Sequence, residues 1–95
     1  MYLIQPTKNY EKSYLKLLKS GAKKKVFDDI ALVIDVLARG EMLDAKYRDH
    51  KLQGDYAGYR ECHIRADLLL TYQVRERLLV LVLVNIGPHA YLFEG

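Results

Sequence analysis

The order of the apolar patterns along the chain constrains the fold more than any other feature. Two amphipathic helices are predicted first, one following Thr7 and ending at Ser20, and one over residues 22–38. From Lys46 onward, strand-like segments and turns replace the helical spacing. Helices followed by strands are typical of an α+β domain in which the helices pack on one face of an antiparallel sheet.

The strands are predicted on both sides of the helical hairpin. An N-terminal strand is ended by Pro6, and the later strands form an antiparallel meander in the order β-α-α-β-β-β, with a possible extra strand at the end. The predicted strands are residues 2–5, 59–65, 68–74 and 78–86, and the extra strand is 91–93. Residues 78–86 form an almost unbroken apolar run, which predicts a central strand covered on both faces. We expect one domain over residues 1–95.

Composition excludes several classes of protein. No apolar run reaches the ~18 residues that a membrane span requires, and no signal peptide is apparent, so a cytoplasmic protein without a membrane partner is expected. The single cysteine, Cys62, rules out an internal disulfide framework and a cysteine-based zinc site. A formal charge of +3 permits a nucleic-acid partner without requiring one.

The histidines are the main candidates for chemistry. His50, His63 and His89 all lie in the second half of the chain, next to polar or turn segments, and Asp67 follows His63 by four positions. Neighbouring strand ends meet at one edge of an antiparallel meander, so these four side chains are predicted to converge. The spacings of 13 and 26 residues match no helical or ribbon pattern of metal ligands, so neither a metal site nor a cofactor is predicted.

Arginines flank these histidines. Arg48, Arg60 and Arg65 are candidates to bind phosphate, because guanidinium donates two parallel hydrogen bonds to it. Strand alternation puts Arg60 and Arg65 on opposite faces, and Arg65, which shares the face of His63, is favoured. Lysines on the helices are either phosphate contacts or a solvated surface: Lys12, Lys16, Lys19 and Lys23–Lys25.

A series of short motifs in the second half resembles the YafQ branch of the RelE/ParE toxin superfamily. The motifs are Tyr47-Arg48-Asp49-His50-Lys51-Leu52-Gln53-Gly54, Tyr59-Arg60-Glu61-Cys62-His63-Ile64-Arg65-Ala66-Asp67, Leu70-Thr71-Tyr72 and Gly87-Pro88-His89-Ala90-Tyr91-Leu92-Phe93. The resemblance implies a type II toxin that cleaves mRNA, usually on the ribosome, and that is silenced by a cognate antitoxin. It also implies that operator DNA is bound only through that antitoxin.

The functional positions of this branch fall on His50, His63, Asp67, His89 and Phe93. The residue after the aspartate departs from the family pattern: it is aromatic in the best-known member and Leu68 here. Any stacking role at that position is therefore lost or transferred to a nearby tyrosine, which affects codon preference more than the chemistry.

RNA can be cleaved without a metal when its own 2′-hydroxyl attacks the adjacent phosphorus. The reaction needs a base, an acid and cations against the developing charge, and imidazole can act as either base or acid near neutral pH. We assign His50 as the base, oriented by Asp67, and His89 as the acid, while His63 orients the phosphate or shares the base role. Phe93 either stacks on a base or holds the C-terminal segment.

A non-catalytic protein on the same fold is the alternative. ParE-like relatives inhibit gyrase without cutting RNA, and a degenerate toxin would only bind its antitoxin. Neither would need His50, His63, Asp67 and His89 together, so the polar set favours the nuclease.

Overall fold

The computed structural model describes residues 1–88, and two helices and five strands lie within this range. The strands are β1 (Leu3–Pro6), β2 (His50–Lys51), β3 (Arg60–Arg65), β4 (Leu68–Arg75) and β5 (Val80–Gly87), and the helices are α1 (Lys8–Lys19) and α2 (Lys24–Ala38). Short 3-10 turns at Ala45–Tyr47 and Gly54–Tyr56 punctuate the long connection from α2 to β3.

The helices follow the predicted hairpin. The Thr7 side chain accepts a hydrogen bond from the Tyr10 backbone N–H at 3.1 Å, which satisfies one of the free donors at the start of α1. The second helix begins two residues later than predicted, at Lys24, and its N-cap residue makes no side-chain cap. Its apolar stripe is buried against the sheet, including Ile30 and Val33.

The sheet has the order β1-β5-β4-β3-β2. The pairs β2–β3, β3–β4 and β4–β5 are antiparallel, whereas β1 runs parallel to β5, with Leu3 opposite Val80. The α+β class is confirmed, and the sheet is mixed because the helical hairpin returns the chain across the sheet between β1 and the meander. The two-residue strand β2 was not predicted, and the predicted strand at residues 91–93 lies outside the described residues.

The prediction that the long apolar run forms the central strand was wrong. Its first two leucines, Leu78 and Leu79, are more than half exposed in the β4–β5 turn, and the strand starts at Val80. Burial then alternates along residues 80–84, so one face of β5 is only partly covered. The central strand is β4, in which residues 68–72 are all buried. Apolar periodicity predicts burial but cannot rank strands within a sheet, which depends on pairing.

The core lies between the helices and the sheet, and β2 forms one edge of the sheet beside β3. Buried apolar side chains from both helices and from β3, β4 and β5 form one cluster. Among residues 1–88, neither helix has the length and apolar character that crossing a membrane would require.

Candidate active site

Two histidines and a glutamate meet where β2 pairs with β3. The register sets His50 opposite Glu61, and alternation along β3 puts Glu61 and His63 on the same face. The Nε2 atom of His50 lies 3.5 Å from Oε1 of Glu61, and the two imidazole ring centroids are 6.1 Å apart. The Glu61 side chain is only 1% exposed, whereas that of His50 is 46% exposed. A buried carboxylate therefore lies behind an accessible imidazole.

The backbone before β2 selects the tautomer of His50. Its Nδ1 lies 2.7 Å from the carbonyl oxygen of Arg48. A carbonyl can only accept, so Nδ1 carries the proton and Nε2 keeps its lone pair in the neutral ring. Arg48 aims that carbonyl by adopting a left-handed conformation, with φ of 48°, which is uncommon for a residue with a side chain.

A polar cleft of about 400 Å³ opens beside His63. Arg65 lies in this cleft together with His63, and its guanidinium binds Asp29 of α2 through Nε at 2.9 Å and Nη2 at 2.8 Å. The cleft is lined by Asp29, Lys46, Tyr47, Arg48, His63, Ile64, Arg65 and Ala66. Three cations and one carboxylate give it a net positive lining, which suits a phosphodiester.

Arg60 makes a different set of contacts. Its Nη2 donates to Oδ2 of Asp49 at 3.0 Å, and its Nε lies 3.3 Å from the Tyr72 hydroxyl oxygen. The Tyr72 hydroxyl in turn donates to Oδ1 of Asp49. The hydrogen bond to Asp49 raises the pKa of Arg60, and burial, followed by the bond to Asp49, raises the pKa of Tyr72. Arg60 is therefore engaged with Asp49 and Tyr72 rather than in the cleft lined by Arg65.

The remaining predicted residues lie elsewhere. Asp67 is exposed in the β3–β4 turn, and among the described residues it makes no hydrogen bond or ion pair with either histidine. His89 and Phe93 lie outside the described residues. The last strand nevertheless ends close to the site, because Gly87 pairs with Leu69 and Leu69 pairs with His63. Two strand spacings of about 4.8 Å separate Gly87 from His63 along this row.

Two positions near the site are closed to substrate. Leu68 is 5% exposed and belongs to the core, so it provides no surface for stacking. Cys62 is fully buried, and burial raises the pKa of its thiol to about 12. The thiol therefore stays protonated and behaves as the small buried hydrophobe that the sequence predicted.

Sequence reasoning overlooked Glu61. The signal was present, since Glu61 and His63 stand two positions apart on a predicted strand and must share a face. The ligand atoms of His50, Glu61 and His63 lie within 4.8 Å of one another. Imidazole and carboxylate suit zinc or copper, and three ligands would leave an open position. Histidine spacing did not reveal this set because its third member is a glutamate.

Comparison with known proteins identifies the family. Residues 2–94 match the family described as bacterial toxin of type II toxin–antitoxin system, YafQ. The chain belongs to this family, and the resemblance inferred from the motifs is confirmed.

Individual relatives agree with this assignment along nearly the whole chain. The mRNA interferase toxin YafQ of Escherichia coli K12 is 33% identical over 93 residues, covering 96% of this chain and 99% of the relative. A metal-bound toxin from Helicobacter pylori has a TM-score of 0.86 at 38% identity, covering 98% of this chain and 100% of the other. YafQ in the E. coli DinJ–YafQ complex has a TM-score of 0.84 at 26% identity, covering 98% and 99%.

Proposed function

We propose that this protein is the toxin of a type II toxin–antitoxin system and an endoribonuclease that cleaves mRNA by histidine acid–base catalysis, without a metal ion in the reaction. The E. coli relative is named as an mRNA interferase toxin, in agreement with this activity. The observation that carries the mechanism is the meeting of His50, Glu61 and His63 beside a cationic cleft. A protein that only bound a partner would not need this arrangement.

The base in this proposal is His50. Its Nε2 lone pair takes the proton of the ribose 2′-hydroxyl while the 2′-oxygen bonds to phosphorus. The imidazolium that forms donates Nδ1–H to the Arg48 carbonyl and faces the Glu61 carboxylate with Nε2. Both neighbours stabilise the positive charge, which is the requirement for a base whose conjugate acid must persist through the transition state.

The phosphate charge is balanced by Arg65, with Arg48 at the neighbouring wall of the cleft. Asp29 holds the Arg65 guanidinium by a hydrogen bond from Nε and an ion-pair contact from Nη2, so that little side-chain entropy is lost when phosphate arrives. His63 lines the same cleft and orients the phosphate or shares the base role. Arg60 is the weaker candidate for contact with RNA, because Asp49 and Tyr72 already engage it.

The acid in this proposal is His89, which protonates the leaving 5′-oxygen as the phosphorus–oxygen bond breaks. The products are a 2′,3′-cyclic phosphate and a 5′-hydroxyl. The strand register supports this role, because it puts Gly87 two strand spacings from His63. His89 follows Gly87 by two residues, and two extended residues span about 7 Å. Asp67 as a partner of a histidine, and Phe93 as a base-stacking or segment-holding residue, stay predictions.

A metal ion at the site would act as an inhibitor in this mechanism. The Helicobacter pylori relative is described as metal-bound, and His50, Glu61 and His63 of this chain would supply suitable ligands. Such an ion is a Lewis acid, but binding it would occupy the Nε2 lone pair that the base requires. We therefore expect cleavage to persist in EDTA and to fall when Cu²⁺ or Zn²⁺ is added.

The decisive experiment is His89→Ala in the full chain. We expect loss of growth inhibition and of cuts in message, mapped by primer extension, with the circular dichroism spectrum and antitoxin binding unchanged. Cleavage at the wild-type rate would refute the acid assignment. Wild-type cleavage that disappears in EDTA would instead refute the metal-free mechanism. Growth inhibition by the wild-type chain without any cut in RNA would favour the ParE-like alternative.

The partners in this proposal are a cognate antitoxin, the ribosome with its mRNA, and operator DNA reached only through the antitoxin, all in the cytoplasm. The DinJ–YafQ complex supports an antitoxin partner. The lysines of α1 and of the start of α2 are exposed and could contact ribosomal phosphates: Lys12, Lys16, Lys19 and Lys23–Lys25.

Reversing the charge of the α1 lysines tests the ribosome contact. Changing Lys12 and Lys19 to Glu should weaken cosedimentation with ribosomes and reduce its salt dependence, because fewer counterions are released on binding. Reversal of Glu11, which lies on the same helix, to Lys should not weaken it. Equal cosedimentation of all three proteins would assign these lysines to a solvated face.

A further inference from the structure

The strand that carries His50 is too short to hold a side chain in place by itself. Strand β2 has two residues at the edge of the sheet, and its register with β3 consists of His50 opposite Glu61 and Lys51 opposite Arg60. Both of its residues are exposed. So short an edge ladder frays readily, so another interaction must fix the position of the imidazole.

The residue before β2 supplies that interaction. The Asp49 carboxylate accepts from Arg60 on β3 through Oδ2 and from the Tyr72 hydroxyl on β4 through Oδ1. Arg60 and Tyr72 are themselves cross-strand partners, and Tyr72 is only 1% exposed in the central strand. The start of β2 is thereby tied to β3 and to β4, the central strand of the sheet.

The anchor and the catalytic side chain use opposite faces of the chain. His50 points towards Glu61, whereas Asp49, the preceding residue, turns to Arg60 and Tyr72 on the other side of β3. The backbone of β2 is held from the side opposite to His50, so Asp49, Arg60 and Tyr72 do not cover the accessible face of the imidazole. Arg48, on the far side of Asp49, keeps its left-handed conformation and its carbonyl on Nδ1.

That left-handed conformation needs support. It is unfavourable for a residue with a side chain, and it persists only where the surroundings enforce it. The next residue, Asp49, is the one whose side chain is fastened to the sheet. Releasing Asp49 would let Arg48 relax, and its carbonyl would move away from His50.

We propose that Asp49, with Arg60 and Tyr72, is a positioning network that sets the tautomer and orientation of His50. The network keeps the Arg48 carbonyl on Nδ1, and so keeps the proton on Nδ1 and the lone pair on Nε2. The significance for catalysis rests on the proposed function, in which that lone pair accepts the 2′-hydroxyl proton. The geometric part can be measured without RNA.

The network is suited to this task because Arg60 and Tyr72 keep their protons at neutral pH. Burial and the hydrogen bond to Asp49 raise the pKa of Tyr72, so its hydroxyl remains a donor at neutral pH. The hydrogen bond to Asp49 likewise raises the pKa of Arg60, which stays charged. Protonation of the histidines during turnover therefore leaves the anchor unchanged.

Three variants of the full 95-residue chain test the proposal. Asp49→Asn removes the ion pair with Arg60, and Tyr72→Phe removes a single hydroxyl from a buried ring. The matched control is Asp35→Asn, which makes the same change in the exposed pair between Asp35 and Arg39 on α2. Each protein is labelled with ¹⁵N, and the imidazole nitrogens of His50 are observed by NMR above the pH at which the ring is protonated.

We expect the Nδ1-protonated form of His50 to dominate in wild type and in Asp35→Asn. In Asp49→Asn and Tyr72→Phe the two nitrogen signals should move towards the other tautomer. The kcat for RNA cleavage should fall about 10- to 100-fold with KM little changed, the usual range when a residue that orients a functional side chain is removed.

The outcomes separate this proposal from the proposed function. Unchanged His50 nitrogen signals in folded Tyr72→Phe would overturn the positioning network, whatever the activity. If Asp49→Asn fails to fold, Tyr72→Phe alone decides. A wild-type chain that cuts no RNA on the ribosome would instead overturn the proposed function, while the NMR comparison would still decide the positioning role.

Discussion

The two edges of the sheet are held in opposite ways. Strand β1 has four residues in register with β5, and main-chain hydrogen bonds continue beyond it, from Leu3 N–H to Leu79 at 2.8 Å and from Thr7 N–H to Leu83 at 2.9 Å. All four of its side chains are exposed. Strand β2 has only two residues, followed by a single main-chain bond from Leu52 N–H to Tyr59 at 2.9 Å, and side-chain bonds through Asp49 add to its attachment.

This difference separates an edge that only completes the sheet from an edge that positions a functional side chain. At the β1 edge the backbone makes the attachment, so side chains can change at little cost. At the β2 edge a short main-chain ladder is reinforced by side chains, and this reinforcement orients the imidazole of His50. In the proposed function, this edge is where an RNA strand reaches the exposed side chain of His50 without entering the core. The short strand β2 thus leaves the His50 side chain accessible to solvent, while side chains of β3 and β4 hold it in position.

Among the variants that test the contrast between the β1 and β2 edges, His50→Gln is expected to have the largest effect on RNA cleavage. Glutamine keeps a polar group near Glu61 but cannot accept the proton, so kcat/KM for RNA cleavage should fall ~10²–10⁴-fold. Ile4→Ala is the matched control, because Ile4 on β1 is 48% exposed, close to the 46% of the His50 side chain. The control should cleave RNA at the wild-type rate. Equal rates for both variants would remove His50 from the mechanism.

An intermediate effect is expected on the free energy of unfolding in alkaline solution, because the buried Cys62 thiol and the buried Tyr10 hydroxyl resist ionisation in the folded state. Burial raises the pKa of Cys62 from 9.0 to about 12 and that of Tyr10 from 10.0 to about 12. The folded state thus keeps protons that the unfolded chain releases, so stability is full below pH 9 and falls towards pH 12. Each group contributes a slope of about 1.4 kcal/mol per pH unit within its window.

Urea unfolding at pH 8, 9.5, 10.5 and 11.5 measures this loss. Cys62→Ala should reduce the slope of the free energy of unfolding from pH 9 upward, and Tyr10→Phe should reduce it from pH 10 upward. Part of the slope should remain in both variants, because burial also raises the pKa of Tyr72. A wild-type free energy of unfolding that stays constant from pH 8 to 11.5 would contradict the burial of both groups.

The smallest effect is expected for Leu3→Ser on β1. Leu3 is 74% exposed and its strand is held by main-chain bonds, so the free energy of unfolding should change by no more than about 0.5 kcal/mol. RNA cleavage should not change. A loss above 2 kcal/mol in urea unfolding would show that side chains fasten this edge as well, and the two edges would no longer differ in kind.

Prediction from the sequence succeeded where the signal was local. Thr7 marked the start of α1, and the turn between β3 and β4 fell at Ala66-Asp67 as expected. The motif series led to the family because it preserves the order of residues along the chain. It did not reveal Glu61, although alternation with His63 would have allowed that prediction, or the role of Asp49.

The failures concern pairing between distant segments. The run at residues 78–86 looked central because all of its side chains except Asn85 are apolar, yet its neighbour β4 is the central strand. Strand β2 was missed because two residues carry no periodicity, and it exists only through β3 and the Asp49 contacts. The parallel pairing of β1 with β5 could not be predicted, because no local sequence pattern indicates which strand will pair with β1.

The sequence by itself determined the helices, most of the strands, the fold class and the family, because these follow from spacing and order along the chain. Only the tertiary structure decided which strands are neighbours, and that His50 and His63 share a buried glutamate. Strand alternation already favoured Arg65 for the cleft, but only the tertiary structure showed that Arg60 binds Asp49 and Tyr72. The physical reason is that hydrogen bonds and ion pairs between strands depend on register, and register is set by the packing of the whole sheet rather than by any one segment.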